Sequence, residues 1–329
     1  MINYIELLKW YNENKEKIDD SLVKKIYKTY DGYIFELYKK GLNKRYLYII
    51  PGKLIFLSDK KIKIEKDNFL LRLKKDFEEK KIKIEIEEND KVVKIISDYI
   101  LNIELFQNGL LVVTDRENKI LYANEYKNFG VRKIFKGEIY KRPPSNFKIY
   151  YKFEEFLNVI RNSNKKDIVR TLAVDIGLGG KYSEYVLYQL NINKSINPKE
   201  LSEDDIKRIY EKYIDIIEKK GVLCNDTWIE EINECFKKLY EKYIEEKLKE
   251  EEEKILRQIE EKKKRIEELE KEKNKLEKIA EFLTTYSWIF KDYNIERIKK
   301  EFENLGIKVD VKLEGYKLKI IIDDNLIGY

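Results

Sequence analysis

GYIFELYKKGLNKRYLYIIPGKLIFLS, residues 32–58, contains three short runs rich in Tyr, Ile, Phe and Leu, at 32–38, 45–50 and 53–58. Pro51-Gly52 marks a turn between the last two, so the stretch reads as a β meander. Working outward, residues 3–19 place Ile5, Leu8 and Tyr11 at helical spacing, and 68–80 repeat a helical pattern. KIKIEIE at 81–87 alternates strictly, the period of a half-buried strand, and further strands fit 91–97, 99–106, 110–114 and 119–123. Residues 1–150 are therefore expected to form an α+β domain with an antiparallel sheet, closing near Arg142-Pro143-Pro144-Ser145.

Beyond that point the pattern becomes helical. Helices are expected at 152–163, 166–175 and 181–190, with GLGG at 177–180 interrupting them. Ser202 is placed as an N-cap, with Asp205 three residues on, for a helix running to about Lys220. Residues 151–225 are read as a helix-hairpin-helix domain. A long charged helix starts near Trp228, giving a coiled-coil segment at 226–284. Its heptad frame sets Leu248, Ile255, Lys262, Leu269, Leu276 and Leu283 at d, and Glu252, Ile259, Ile266, Lys273 and Ala280 at a. Polar residues in this seam point to a specific partner helix rather than a strong self-dimer. Residues 285–329 read as a small module, a helix at 292–304 and a hairpin around Glu314-Gly315.

Composition narrows the chemistry. The chain has 329 residues and no histidine, which excludes a Ser-His-Asp triad, an imidazole metal site and a histidine general base. Cys224 and Cys235 are too few for a disulfide framework, match no common zinc spacing and are expected to be buried small hydrophobes. No metal and no cofactor are expected. No apolar run reaches the ~18 residues of a spanning helix, and the start has no signal-peptide pattern, so the expected location is cytoplasmic, without a membrane. Charge is uneven: residues 1–150 hold 32 Lys and Arg against 23 Asp and Glu, a balance of +9, while 151–329 hold 36 against 39, a balance of −3. A basic half beside a near-neutral one suits a domain facing a polyanionic backbone, and equally a lysine-rich solvated surface.

Leu172-Ala173-Val174-Asp175-Ile176-Gly177-Leu178-Gly179-Gly180, followed by Ser183, fits the helix-hairpin-helix pattern. Glycines there allow positive φ, and the amides opening the next helix can hold a phosphate. The plain alternative is a tight turn between packed helices. Tyrosines among basic residues can stack on unpaired bases, although most serve as core and surface packing.

The stretch from Ile176 to Leu187, continuing to Leu201-Ser202-Glu203, resembles the NFACT-domain proteins, whose corresponding segment reads roughly GLGGLYAEE, then LS. These are ribosome quality control factors of the RqcH type, older members of which carry the label fibronectin-binding protein A. Leu105-Phe106-Gln107-Asn108-Gly109-Leu110-Leu111-Val112-Val113-Thr114-Asp115 is similar to the family's ELFGxGNVILTD. Gly137-Glu138-Ile139-Tyr140 with Pro143-Pro144-Ser145 is similar to its GxxYxPPxS, Leu73-Lys74-Lys75 to its LRK helix, and Glu281-Phe282-Leu283-Thr284-Thr285-Tyr286 to the entry into its middle module.

The resemblance implies a factor, not an enzyme, that binds the large ribosomal subunit carrying peptidyl-tRNA and recruits incoming tRNA for C-terminal tailing, leaving peptide-bond chemistry to the ribosome. It further implies RNA or phosphate contacts at Lys74, Lys75, Gly177, Gly179, Gly180 and Lys181, and tRNA-recruiting roles for Glu6, Asp90 and Lys91. Glu6 stands where the family usually has Asp. Lys91 replaces its Arg, exchanging a planar bidentate donor for a point charge, and Leu110 replaces the usual Asn. The family continues into a returning coiled-coil helix and an NFACT-R domain, so the expected partner is a separately encoded C-terminal half pairing with residues 229–283. The family's N-terminal domain also resembles formamidopyrimidine-type DNA glycosylases, but Ile2-Asn3 stands where those need Pro-Glu. The alternatives are a general helix-hairpin-helix nucleic-acid binder and a coiled-coil scaffold without tailing.

Overall fold

The computed structural model describes residues 2–328 apart from 63–66, 146, 292–293, 316 and 323–324, and it falls into two compact units, 1–245 and 246–329. In the first, helix α1 (Tyr4–Ile18) precedes β1 (Ser21–Thr29) and the meander β2 (Gly32–Tyr38), β3 (Arg45–Ile50) and β4 (Leu54–Ser58). Helix α2 (Asn68–Phe77) leads to β5 (Lys81–Ile86), β6 (Val92–Ile96), β7 (Ile100–Glu104), β8 (Leu111–Thr114) and β9 (Ile120–Ala123). The nine strands form one antiparallel sheet in the order β4-β3-β2-β1-β5-β6-β7-β8-β9.

The strands expected from alternation are present, while β1, which joins the two halves of the sheet, has no counterpart in the sequence reading. The reason is a register shift between Val23 and Lys25 opposite β2. A bulge inserts an extra residue and breaks the period-two signature, so SLVKKIYKT does not alternate although Val23 and Ile26 are fully buried.

Trp10, Leu7 and Ile18 of α1 and Leu73 and Phe77 of α2 pack into the core of this sheet. The small hairpin β10 (Lys127–Asn128) and β11 (Lys133–Ile134) follows β9.

A helical layer comes next: α3 (Phe153–Arg161), α4 (Ile168–Arg170), a π-helical turn Thr171–Asp175, α5 (Gly179–Gln189) and α6 (Glu203–Glu218). Ser202 caps α6 as its sequence suggests, its hydroxyl accepting from the Asp205 amide at 3.0 Å. These helices share a core of Phe156, Leu172, Tyr182, Ile209 and Tyr213, joined by Ile5 of α1.

The long helix begins later than the charge pattern suggests. Residues 222–229 form a hairpin, β12 (Val222–Cys224) and β13 (Thr227–Ile229), turned by Asn225 and Asp226 at φ 46° and 65°. Such residues tolerate the positive φ that a two-residue hairpin turn needs. Helix α7 (Ile232–Thr285) follows. Its opening turns belong to the first unit: the Asn233 side-chain Oδ1 accepts from Trp10 Nε1 at 3.0 Å and from the Leu57 amide at 2.8 Å, and Tyr240 packs on Tyr48 and Phe56. Cys224 and Cys235 are buried as expected, but they are also bonded to each other, with Cα atoms 5.8 Å apart, tying the hairpin to the first turn of α7.

In the second unit the remainder of α7 is solvated, and Leu248, Ile255, Ile259, Ile266, Leu269 and Leu276 of the heptad seam are 43–58% exposed. A small module closes the unit: α8 (Ile295–Asn304) and a sheet of β14 (Val309–Glu314), β15 (Lys317–Ile322) and β16 (Asn325–Gly328), with Phe302 among Phe282, Tyr286 and Phe290. Tyr316 and Asp323 of the expected hairpin lie outside the described residues. Among the described residues, no helix is long and apolar enough to cross a membrane.

Candidate nucleic-acid interface

The glycine turn and the start of α1 are built as one junction. Asn3 caps α1, its side-chain oxygen accepting from the Glu6 amide at 2.8 Å, while the Glu6 carboxylate accepts from the Asn3 amide at 3.0 Å. This reciprocal pair satisfies two otherwise orphaned donors of the first turn. Asn3 then donates from Nδ2 to the Leu178 carbonyl at 3.0 Å, across 175 positions of sequence. Gly177 and Gly179 sit at φ 82° and 74°. A Cβ on Gly179 would stand 3.8 Å from the Asn3 side chain, so space is adequate and backbone conformation is what demands glycine there.

Glu6 is buried at 3% exposure. Lys181 Nζ donates to its Oε1 at 2.5 Å and to the Leu223 carbonyl at 2.6 Å, and the Tyr182 hydroxyl donates to the same Oε1 at 3.2 Å. Burial and the neighbouring carboxylate push the Tyr182 phenol well above its ordinary range. The junction therefore fixes the opening turn of α5, with Gly180 facing open space.

Asp90 and Lys91 lie at the turn between β5 and β6, and both are buried. Lys91 Nζ is 3.4 Å from the Ile2 carbonyl and lies over the rings of Phe106 and Phe147, at 5.3 and 5.5 Å. Burial lowers its pKa, against the pull of Asp90 and Glu6. One Asp90 oxygen accepts from the Lys91 amide at 2.7 Å. Among the described residues the other has no hydrogen-bond partner, and it faces the Arg142 guanidinium at 3.6 Å. Burial raises the Asp90 pKa, with the Lys91 amide, the nearby Ser145 hydroxyl and Arg142 opposing it. A guanidinium thus stands beside Asp90 from Arg142, half-exposed and 52 positions away, a neighbour the sequence reading did not anticipate.

Lys74 and Lys75 stand apart, in the last turn of α2. Lys74 is 3.7 Å from Glu78, which accepts from the Ile26 amide of β1, and Lys75 is exposed.

The sequence reading also missed a surface cleft of about 730 Å³ along α5, lined by Lys181, Glu184, Tyr185, Tyr188, Lys194 and Asp226 among others. Tyr188 is 79% exposed there. Helical spacing was the available signal, since Lys181, Tyr185 and Tyr188 fall at i, i+4 and i+7 of one face. The Leu105–Asp115 motif, by contrast, is architectural. A Cβ on Gly109 would lie 2.0 Å from the Glu104 carbonyl and 2.8 Å from the Gly52 amide, and Leu110 is buried. Among the described residues, no group of three or more Cys, Asp or Glu side chains is gathered as if around a metal ion.

The profile of the NFACT N-terminal and middle domains matches residues 4–224, spanning the sheet, the Glu6 junction and α5 together. The chain belongs to the NFACT family. The archaeal Rqc2 homologue aRqcH of Methanocaldococcus jannaschii is 27% identical over 158 residues, 46% of this chain and 21% of that protein. This NFACT chain therefore spans about a fifth of the length of the curated relative it matches. Its fold is shared with the N-terminal part of the fibronectin/fibrinogen-binding protein of Streptococcus suis (TM-score 0.56, 14% identity, 74% of this chain and all of that one). It is shared too with the fibrinogen-binding protein of Staphylococcus aureus (TM-score 0.53, 14% identity, 66% and 82%).

Proposed function

We propose that this NFACT chain is the tRNA-facing part of a ribosome-associated quality control factor, which binds the large subunit carrying peptidyl-tRNA and recruits tRNA for C-terminal tailing of stalled chains. The observation that carries the reading is the family match across residues 4–224, which takes in Glu6, the glycine turn and Lys181 of the junction. Geometry supports a division of labour. Glu6, Asp90 and Lys91 are positioning residues beneath the surface, Lys181 anchors the opening of α5 on Glu6 at the edge of the cleft, and Arg142, Tyr188 and Lys194, the last also 3.2 Å from Glu184, present cation and ring to the RNA. Gly177, Gly179 and Gly180 turn the chain so that the opening amides of α5 meet a phosphate. Lys74 and Lys75 form a second basic contact on α2. A balance of +9 over residues 1–150 favours sequence-tolerant binding through released counterions. The factor acts by holding tRNA, and the ribosome makes the peptide bond.

The exposed seam of α7 takes a second helix. Acidic residues on that helix would face Lys262 and Lys273, and a basic one Glu252, because the desolvated seam rewards matched charge and penalises its absence.

Sucrose-gradient fractionation of native extract, with crosslinking to RNA, tests the reading. Co-sedimentation with large subunits and crosslinks to tRNA are expected. Absence from that fraction with no tRNA crosslinks overturns it.

A further inference from the structure

The β10–β11 hairpin has no part in the reading above. Its register pairs Lys127 with Ile134 and Asn128 with Lys133, which sets Tyr126 directly opposite Phe135. Side chains alternate between the faces of a strand, so Lys127 and Ile134 share one face. Ile134 is fully buried there in a cluster with Leu110, Val112 and Ile120. The other face presents Tyr126, Asn128, Lys133 and Phe135.

The rings of Tyr126 and Phe135 are nearly parallel, at 4° with centroids 6.2 Å apart, yet they are 44% and 43% exposed. At the tip Phe129 is 39% exposed and Val131 76%. Lys133 and Lys136 are exposed, and neither is ion-paired among the described residues. Residues 125–142 hold six Lys and Arg against two Glu.

The presentation is rigid. Arg132, between the two strands, is buried and clamps both guanidinium nitrogens on buried Glu104, with NH2 to Oε2 at 2.9 Å. Tyr140 donates to the same carboxylate at 3.0 Å.

From this geometry we propose that the hairpin is a stacking platform for unpaired RNA bases. Parallel exposed rings offer faces on which a base can stack, and Lys133 on the same face with Lys136 beside it would neutralise the adjoining phosphates. An apolar protein surface would cover the rings but leave both ammonium groups desolvated and unpaired, whereas a nucleic acid strand satisfies ring and charge together. A duplex conceals its base faces, so the occupant is single-stranded. The proposal rests on the reading that this chain meets RNA, but it uses a separate surface.

The test is fluorescence anisotropy on the full chain with a labelled oligouridylate of about a dozen nucleotides and an RNA duplex of similar length. The expected results are preference for the single strand, and loss of about tenfold in affinity for Y126A/F135A with the salt dependence unchanged. Y126W/F135W should retain affinity, since a ring face is kept. K133A/K136A should lower the slope of log affinity against log salt by about 1.4, two phosphate contacts on a single strand. Unaltered oligouridylate binding by Y126A/F135A, equal or tighter duplex binding, or no oligouridylate binding by the unsubstituted chain each overturns the proposal. If the chain fails to sediment with large subunits or crosslink tRNA, yet binds oligouridylate in a manner sensitive to Y126A/F135A, the quality-control reading falls and the platform stands. Ribosome and tRNA association unaccompanied by oligouridylate binding separates the two in the opposite sense.

Discussion

Two regions of the first unit combine cations with aromatic rings, and they use them in opposite ways. At the Glu6 junction Lys181 and Tyr182 turn inward onto one buried carboxylate, and Lys91 is sealed over Phe106 and Phe147. In the β10–β11 hairpin only Arg132 turns inward, while Tyr126, Phe135, Lys133 and Lys136 remain in solvent. The same residue types thus become architecture where a carboxylate is buried beside them, and binding surface where none is. Burial of an acidic partner, rather than the presence of lysine or tyrosine, separates the two.

Removing the buried acid should erode the contrast most where both partners are buried. Glu104→Ala strands the Arg132 guanidinium and the Tyr140 hydroxyl. A loss of about 3–5 kcal/mol is expected, read as a denaturation midpoint shift, together with faster hydrogen exchange in the hairpin. At the junction, Glu6→Ala removes half of the capping box and one of the two acceptors of Lys181, but Lys181 is 36% exposed and can rehydrate. The expected cost is smaller, about 2 kcal/mol, measured by thermal melting.

Gly179→Asp probes the turn itself: an L-residue at φ 74° is strained by about 1–2 kcal/mol. The added carboxylate at the opening of α5 should also repel phosphate, so tRNA affinity should fall more than for Gly179→Ala, as measured by filter binding. Unchanged affinity for both would mark the turn as structural alone.

Asp90 gives the pH arm of the comparison. Its folded pKa is raised by burial, so between the ordinary carboxylate range and the raised value the folded state holds more protons than the unfolded one, and stability falls as pH rises. Asp90→Asn should therefore be more stable than the unsubstituted chain at neutral pH. The advantage should close as pH falls below the carboxylate range, a trend readable from melting curves across pH. The smallest effect on stability is expected in α7. Ile266→Glu lies in an exposed seam, so the change should stay within about 0.5 kcal/mol, while co-purification of a partner helix should be lost.

Much of the sheet is legible because alternation survives in strands such as β5, where Ile82 and Ile84 point inward between exposed lysines. β1 is not, since its bulge removes the period on which such reading depends. The GLGG turn is legible for an equally local reason, the positive φ that glycine tolerates. What faces that turn is not, because Asn3 and Glu6 reach it across about half the chain. The β10 and β11 strands have two residues each, too few to show a period, so the Tyr126–Phe135 pair emerges only from their register.

The sequence by itself determined the antiparallel meander, the capped α6, the heptad seam and the family resemblance, all properties of neighbouring residues or of ordered motifs. Tertiary structure alone decided which charges are consumed internally, that the Arg142 guanidinium stands beside Asp90, and that Cys224 meets Cys235. Those outcomes depend on which groups lose water together. Desolvation is a property of the assembled fold, in which residues distant along the chain exclude solvent from one another.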